Sequence, residues 1–202
     1  MAKVLIATLY SPEPVLLAAH RLGPDRLILL IDKEPDKKQE NALKLIQDSL
    51  GKVIDVKKVP TEVYGIVEVA EKCVEIIDMQ PKNDTIYVNI TSGRKTKALG
   101  LLFAAYARDD KVKKIAYNIE EDENAVVYLP RLSFKLNDSQ KKVLETLADE
   151  KSADMSLVNL AEKVGISRAM LYRTINELKD MGYITTEKHD TQLTDAGKIA
   201  RL

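Results

Sequence analysis

Residues 90–96 read Ile90-Thr91-Ser92-Gly93-Arg94-Lys95-Thr96, and this run has the chemistry of a phosphate site. Gly93 lets the backbone approach a ligand closely, and free amides at the start of a following helix point outward toward an anion. Thr91, Ser92 and Thr96 add hydroxyls, while Arg94 and Lys95 add charge. The run is not a Walker A loop, because no glycine stands five residues before a Gly-Lys pair. Nothing here predicts ATP hydrolysis. A second short run, Thr8-Leu9-Tyr10-Ser11, follows the first apolar segment and is expected to face the first. Tyr10 can stack on a base or pack at the domain edge. His20 and His189 are isolated and lack metal-ligand spacing, so no metal site is predicted. No Ser/His/Asp or paired-carboxylate arrangement is visible, and no catalytic residue is assigned.

A second constellation lies near the C-terminus. Residues 160–167, LAEKVGIS, describe a helix-turn-helix corner. Ala161 is small where two helices approach, Gly165 suits a positive-φ turn, Ile166 fills the space between helices, and Ser167 can cap the next helix. Beyond it, Leu171, Ile175 and Leu178 fall on one helical face. Arg168, Ala169, Tyr172, Arg173 and Asn176 lie largely on the other. Arginines reach phosphates or guanine edges, Asn176 can pair with adenine, and Tyr172 can touch a phosphate or a thymine methyl. Gly182-Tyr183-Ile184 then opens a strand. Residues 185–188 and 192–193 flank a wing tip at His189-Asp190, where Lys188 is a further candidate DNA contact. Two uses fit these helices: binding duplex DNA, or dimerisation and protein contact.

The elements that must position these residues follow from periodicity. Short, continuous apolar runs at 3–8, 26–31, 53–59 and 85–90 read as buried strands. Helical spacing marks 13–20, 36–50, 65–79 and 95–108, with Gly51 ending the second. Residues 114–119 and 125–129 complete the unit as a hairpin around a polar turn at 120–124. This alternation predicts a Rossmann-like, mostly parallel α/β sheet with helices on both faces. Ligands bind such sheets beyond the carboxyl ends of the strands, where both loops fall. The period then changes. Helices are expected at 138–149, 155–164, 167–181 and 195–202, the last capped by Thr194. The resulting organisation is a sensing domain over 1–130, a linker over 131–136 and a winged helix-turn-helix over 137–202.

Composition narrows the classes. The chain has 202 residues, 45% of them apolar and 31% charged. The charged share exceeds the usual value of about 25%, and suits either a thermophile's ion-pair networks or an ordinary solvated surface. Thirty-one basic residues balance 31 acidic ones, so the protein does not coat nucleic acid by charge alone. From residue 136 onward, ten basic residues face eleven acidic ones. DNA binding must therefore rest on a local basic patch, doubled by dimerisation. The single cysteine, Cys73, excludes an intramolecular disulfide and reads as a small core residue. No run approaches the ~20 apolar residues of a membrane span, and no signal peptide is visible, so a cytoplasmic protein is expected.

A Rossmann-like domain with Thr8-Leu9-Tyr10 after its first strand, Asn89 through Thr96 after its fourth, and a C-terminal winged helix resembles the archaeal CRISPR-associated CARF–winged-helix transcriptional regulators. The likeness covers nearly the whole chain, and its most specific part is the hydroxyl-Gly-Arg-Lys-Thr run. Tyr10 and Ser11 stand where Gly and an aromatic are common in that family. The resemblance implies a homodimer in which two sensor domains form one symmetric pocket. It implies no cofactor, but a regulatory ligand, a cyclic oligoadenylate and most often cyclic tetra-adenylate, held by Thr8, Leu9, Tyr10, Ser11, Thr91, Ser92, Gly93, Arg94, Lys95 and Thr96. Double-stranded DNA would be read by Ser167, Arg168, Ala169, Tyr172, Arg173, Asn176 and Lys188. The output would be control of CRISPR-associated genes in antiviral defence. Two alternatives differ in class. One is a ring nuclease that cleaves the ligand slowly, with Thr91, Ser92 and Lys95 supporting attack by a ribose 2′-hydroxyl. The other is a regulator answering to a different nucleotide or metabolite.

Overall fold

The computed structural model describes residues 1–119, 125–130, 136–149, 156–187 and 190–202. The predicted turn at 120–124, most of the 131–136 linker, the predicted helix start at Met155, and both Lys188 and His189 of the wing lie outside them. The chain divides into two compact units, Met1–Ser133 and Phe134–Leu202.

The first unit is built on one six-stranded sheet. Its strands are β1 (Lys3–Thr8), β2 (Arg26–Asp32), β3 (Asp55–Thr61), β4 (Thr85–Asn89), β5 (Val112–Asn118) and β6 (Val126–Tyr128), in the order β3-β2-β1-β4-β5-β6. The first five run parallel, and β6 pairs antiparallel with β5 at one edge. The helices are α1 (Glu13–Leu22), α2 (Lys37–Leu50), α3 (Ile66–Asp78) and α4 (Lys95–Ala107). β1 and β2 are almost wholly buried, as strands covered on both faces must be. On one face Leu5, Ala7, Leu27 and Leu29 pack against Val15, Ala18 and Ala19 of α1 and Ala42 and Ile46 of α2. The alternate strand positions, Val4, Ile6, Ile28, Leu30, Ile86 and Val88, are also buried and point to the opposite face, which α3 and α4 cover. Close approach there needs a glycine: a Cβ on Gly100 of α4 would sit 2.6 Å from Val69 Cγ1 and 3.2 Å from the Ala70 amide nitrogen. Cys73 of α3 is fully buried, and burial pushes its thiol up to about 12, so it is the inert core residue that its setting predicts.

The main departure from expectation is β3. The apolar pair Val53-Ile54 suggests a strand over 53–59. Instead the amides of both residues donate to Leu50 O at 2.8 and 2.9 Å, which extends the turn after α2 and leaves Val53 81% exposed. The strand begins at Asp55, opposite Arg26, and runs to Thr61, opposite Asp32. It is an edge strand, so Lys57, Lys58 and Pro60 are tolerated there. Helical spacing at Ala42, Leu45, Ile46 and Leu50 predicts the apolar face of α2, but Leu45 is exposed and Leu43 packs against the core instead. Gly51 ends α2 in a right-handed conformation, φ −65°.

The second unit contains α5 (Asp138–Ala148), α6 (Leu157–Val164), α7 (Arg168–Asp180), the hairpin β7 (Ile184–Glu187) and β8 (Asp190–Leu193), and α8 (Asp195–Ala200). Side chains cap each helix start. Asn137 and Gln140 form a reciprocal capping box, while Ser156, Ser167 and Thr194 accept from amides three residues on. Gly165 takes φ 75° at the corner between α6 and α7, as the turn requires. Val143, Leu144, Leu160, Ala161, Val164, Leu171, Ile175, Leu178 and Ile184 form its core. Both units match the predicted fold class: a mostly parallel doubly wound sheet, followed by a winged helix-turn-helix.

Candidate ligand site and nucleic-acid interface

The strand order reverses between β1 and β4, so the crevice of the doubly wound sheet opens where these two strands end. The loops after them are sewn together. Thr8 Oγ1 donates to Ser92 O. The Ser92 hydroxyl accepts from the amides of Tyr10 and Ser11, both at 2.9 Å, and donates to Ser11 O at 3.1 Å. Gly93 adopts φ 97°, and a Cβ there would stand 3.1 Å from Thr8 Cβ. Only glycine passes this point without strain. On the other side, Thr91 Oγ1 donates to Asn118 Oδ1 at 2.9 Å and accepts from the Asn118 amide at 2.8 Å. Asn89 Nδ2 donates to the same Oδ1. Thr96 Oγ1 donates to Val63 O at 2.5 Å.

The ten predicted ligand residues therefore share one end of the sheet but divide by orientation. Thr8, Leu9 and Ser92 are buried. The hydroxyls of Thr91, Ser92 and Thr96 are spent on the fold's own backbone and side chains. Tyr10, Ser11, Gly93, Arg94 and Lys95 remain at the surface of the loops. Arg94 is the N-cap of α4 and makes no side-chain capping bond, and the partial positive charge of the helix start lies at this same loop.

Beneath these residues lies a charged cluster that sequence reasoning missed. Asp32, the last residue of β2, is 3% exposed, and Lys97 of α4 is fully buried. Arg94 Nε donates to Asp32 Oδ2 at 3.0 Å. Lys97 Nζ stands 2.8 Å from Asp32 Oδ1 as an ion pair, and donates to Ile31 O at 2.5 Å and Thr61 Oγ1 at 2.7 Å. Burial pushes the Asp32 carboxyl upward, but Lys97 and Arg94 outweigh it and hold it below the usual carboxylate range. Burial lowers the Lys97 ammonium, with Asp32 opposing. Gln39 joins the loop after β1 to the end of β2, donating to Leu9 O at 2.7 Å and accepting from the Asp32 amide at 2.9 Å. The signal was present in RLILLID: an acid closing a buried strand at the ligand end of the sheet.

Two tyrosines flank the site. Tyr10 OH donates to Asp36 Oδ2 at 3.0 Å, which raises its phenol pKa, and Lys38 Nζ lies 4.7 Å from its ring. Tyr64, between β3 and α3, is 77% exposed with the Arg94 guanidinium 5.9 Å from its ring centre. Tyr64 was not singled out from the sequence, where it sits alone between Val63 and Gly65. Among the described residues, no group of three or more His, Cys, Asp or Glu could hold a metal ion.

In the second unit, Leu171, Thr174, Ile175 and Leu178 of α7 are buried, while Arg168, Ala169, Tyr172, Arg173 and Asn176 are exposed together. Ser167 caps the helix, its hydroxyl accepting from the Met170 amide at 3.2 Å. Arg173 Nε donates to Glu177 Oε1 at 2.9 Å, and Gln140 Nε2 donates to the other oxygen at 3.0 Å. The Arg173 side chain is 82% exposed, so its remaining donors face outward.

Comparisons place these geometries among known proteins. No curated protein matches the sequence. Solved structures share the fold at low identity, among them the following three. Can2 from Sulfobacillus thermosulfidooxidans, in complex with cyclic tetra-adenylate, is 16% identical with a TM-score of 0.51 over 98% of this chain and 63% of its own. A type III CRISPR defence DNA nuclease activated by cyclic oligoadenylate is 14% identical, with a TM-score of 0.51 over 89% of this chain and 35% of its own. Csm6 from Enterococcus italicus, bound to cyclic hexa-2′-fluoro-hexa-dAMP, is 16% identical, with a TM-score of 0.50 over 91% of this chain and 55% of its own. The chain thus spans less than two thirds of the length of each. Residues 136–185 match the family described as winged helix-turn-helix DNA-binding. Residues 4–124 match the family described as "HFX_2341_N:-like, N-terminal", and the chain belongs to that family.

Proposed function

We propose that the protein is a transcriptional regulator of CRISPR-associated genes, gated by a cyclic oligoadenylate at the carboxyl end of its parallel sheet. The observation that carries this reading is Arg94, held at the uncapped start of α4 beside Gly93 and Lys95, with Tyr64 and Tyr10 on its flanks. Cation, helix dipole and close backbone suit phosphate, and the exposed Tyr64 ring and half-buried Tyr10 ring suit adenine. The ligands named for Can2 and Csm6 belong to this chemical class. We take cyclic tetra-adenylate as the ligand and a homodimer as its receptor. A ring with two-fold symmetry fits two copies of the Gly93-Arg94-Lys95 loop. The outer side of α4 supports pairing, with Leu99 42% exposed and Leu102 and Phe103 only half-buried. Ligand that binds one dimer state better shifts the population toward it and so changes affinity for DNA.

A dinucleotide reading fits less well. In dinucleotide folds a free acid near the end of the second strand takes the ribose hydroxyls, whereas Asp32 is already engaged by two cations. Ring cleavage is not proposed either, because the Thr91 and Ser92 hydroxyls anchor the loops. Calorimetric titration with cyclic tetra-adenylate tests the ligand: about one ring per two chains is expected from two-fold symmetry, and no heat together with no thermal shift would overturn it.

A further inference from the structure

The Asp32–Lys97 pair calls for an explanation beyond stability. A buried ion pair adds little net stability over apolar residues of similar volume, because desolvation cancels most of the attraction. Here it lies at the end of β2, directly against Arg94. Lys97 is fully buried and cannot itself reach a ligand. Asp32 reaches upward through its second oxygen to a single atom of Arg94, Nε, at 3.0 Å. The Arg94 side chain is 40% exposed, so the edge of the guanidinium away from Asp32 is the part left for an anion.

The charges are balanced in a telling way. Asp32 alone would neutralise Arg94 and weaken its pull on phosphate. Lys97 cancels the carboxylate from below, so the cluster keeps the full positive charge of one arginine at the surface. The Arg94 guanidinium lies over the Tyr64 ring, 5.9 Å from its centre.

We propose that Asp32 is the positioning residue of the ligand site, holding Arg94 by Nε so that its two Nη groups face an anionic ligand group as a preset fork, with Lys97 as the buried counter-charge. The inference rests on the reading that the crevice binds a phosphate-bearing ligand. A planar fork fixed in advance loses less freedom on binding than a free arginine. It also dictates direction, which a lone surface charge does not.

The test uses the full chain. Asp32→Asn alone leaves Lys97 as an unpaired buried charge and keeps an amide oxygen that still accepts from Arg94 Nε, so the informative variant is Asp32→Leu with Lys97→Met, which keeps the net charge. Calorimetry with cyclic tetra-adenylate should show affinity about tenfold weaker than wild type at unchanged fold, and adding Arg94→Ala to this background should cost less than it costs in the wild-type chain. In the ligand-free protein, NMR of the Arg94 Nε–Hε pair should show slow hydrogen exchange in wild type and fast exchange in the double variant. Wild-type affinity and unchanged Hε exchange in the double variant would overturn the proposal. If the wild-type protein gives no heat with the ring, the ligand reading fails instead. The Hε exchange then decides the positioning by itself: faster exchange in the double variant supports it, and unchanged exchange rejects it.

Discussion

At the scale of single residues, Arg94 and Asp32 carry the account. Charge-assisted hydrogen bonds contribute about 1.5–3 kcal/mol, so Arg94→Ala should weaken ring binding by about 10- to 150-fold while keeping the fold, with a lower melting temperature from the lost bond to Asp32, as titration and a melting curve will show. Asp32 makes a prediction about acid. Its folded pKa lies below the ordinary carboxylate value, so its stabilising contribution is complete above about pH 4 and is lost as pH falls through the lowered folded value. Urea unfolding at about pH 7 and about pH 3 should show this loss, and the double variant at positions 32 and 97 should lose less between the two. The loop residues were legible from type and spacing, but the direction of their side chains was not. Thr91, Ser92 and Thr96 offer hydroxyls that suit phosphate equally well or the fold's own carbonyls. The choice depends on Asn118, Ser11 and Val63, each distant in sequence. Lys97 was hidden in the same way, since a lysine two residues beyond Lys95 reads as surface until the strand end beneath it is known.

At the scale of elements, the β4–α4 junction is the feature on which the site depends. Its geometry needs a positive φ at a point where the backbone passes Thr8. Gly93→Ala should cost about 1–2 kcal/mol from the left-handed conformation alone, and should also weaken ligand binding by pushing apart the two loops that Ser92 joins. Chemical denaturation and titration of the same variant measure the two effects separately. The strands and helices were readable because buried parallel strands are continuous apolar runs, and because α2 and the four helices of the second unit start at Asp, Asn, Ser or Thr. β3 was misplaced for a physical reason. Edge strands lack the two-sided burial that makes β2 legible, so Val53 and Ile54 attracted the assignment that belonged to the lysine-rich stretch after them. The helix-turn-helix corner was legible because Ala161, Gly165 and Ser167 each answer a separate local demand.

At the scale of the whole molecule, zero net charge sets the terms of DNA binding. On the proposed reading, affinity comes from the exposed face of α7 rather than from a general basic field. Arg173→Ala should weaken binding to the promoter of the protein's own locus and reduce its salt dependence by about one phosphate contact, as mobility shifts across a salt series will show. An unchanged salt slope would remove Arg173 from the interface. The two units each have their own core and their own chemistry, and the central claim is that one controls the other. The direct measurement is the affinity of the 202-residue chain for that promoter DNA, with and without saturating cyclic tetra-adenylate, in wild type and in Arg94→Ala. The account predicts that the ring changes the wild-type affinity by about 5- to 150-fold, a coupling of ordinary allosteric size, and that Arg94→Ala abolishes the change. An affinity for DNA that stays the same when the wild-type protein is saturated with ring would contradict it.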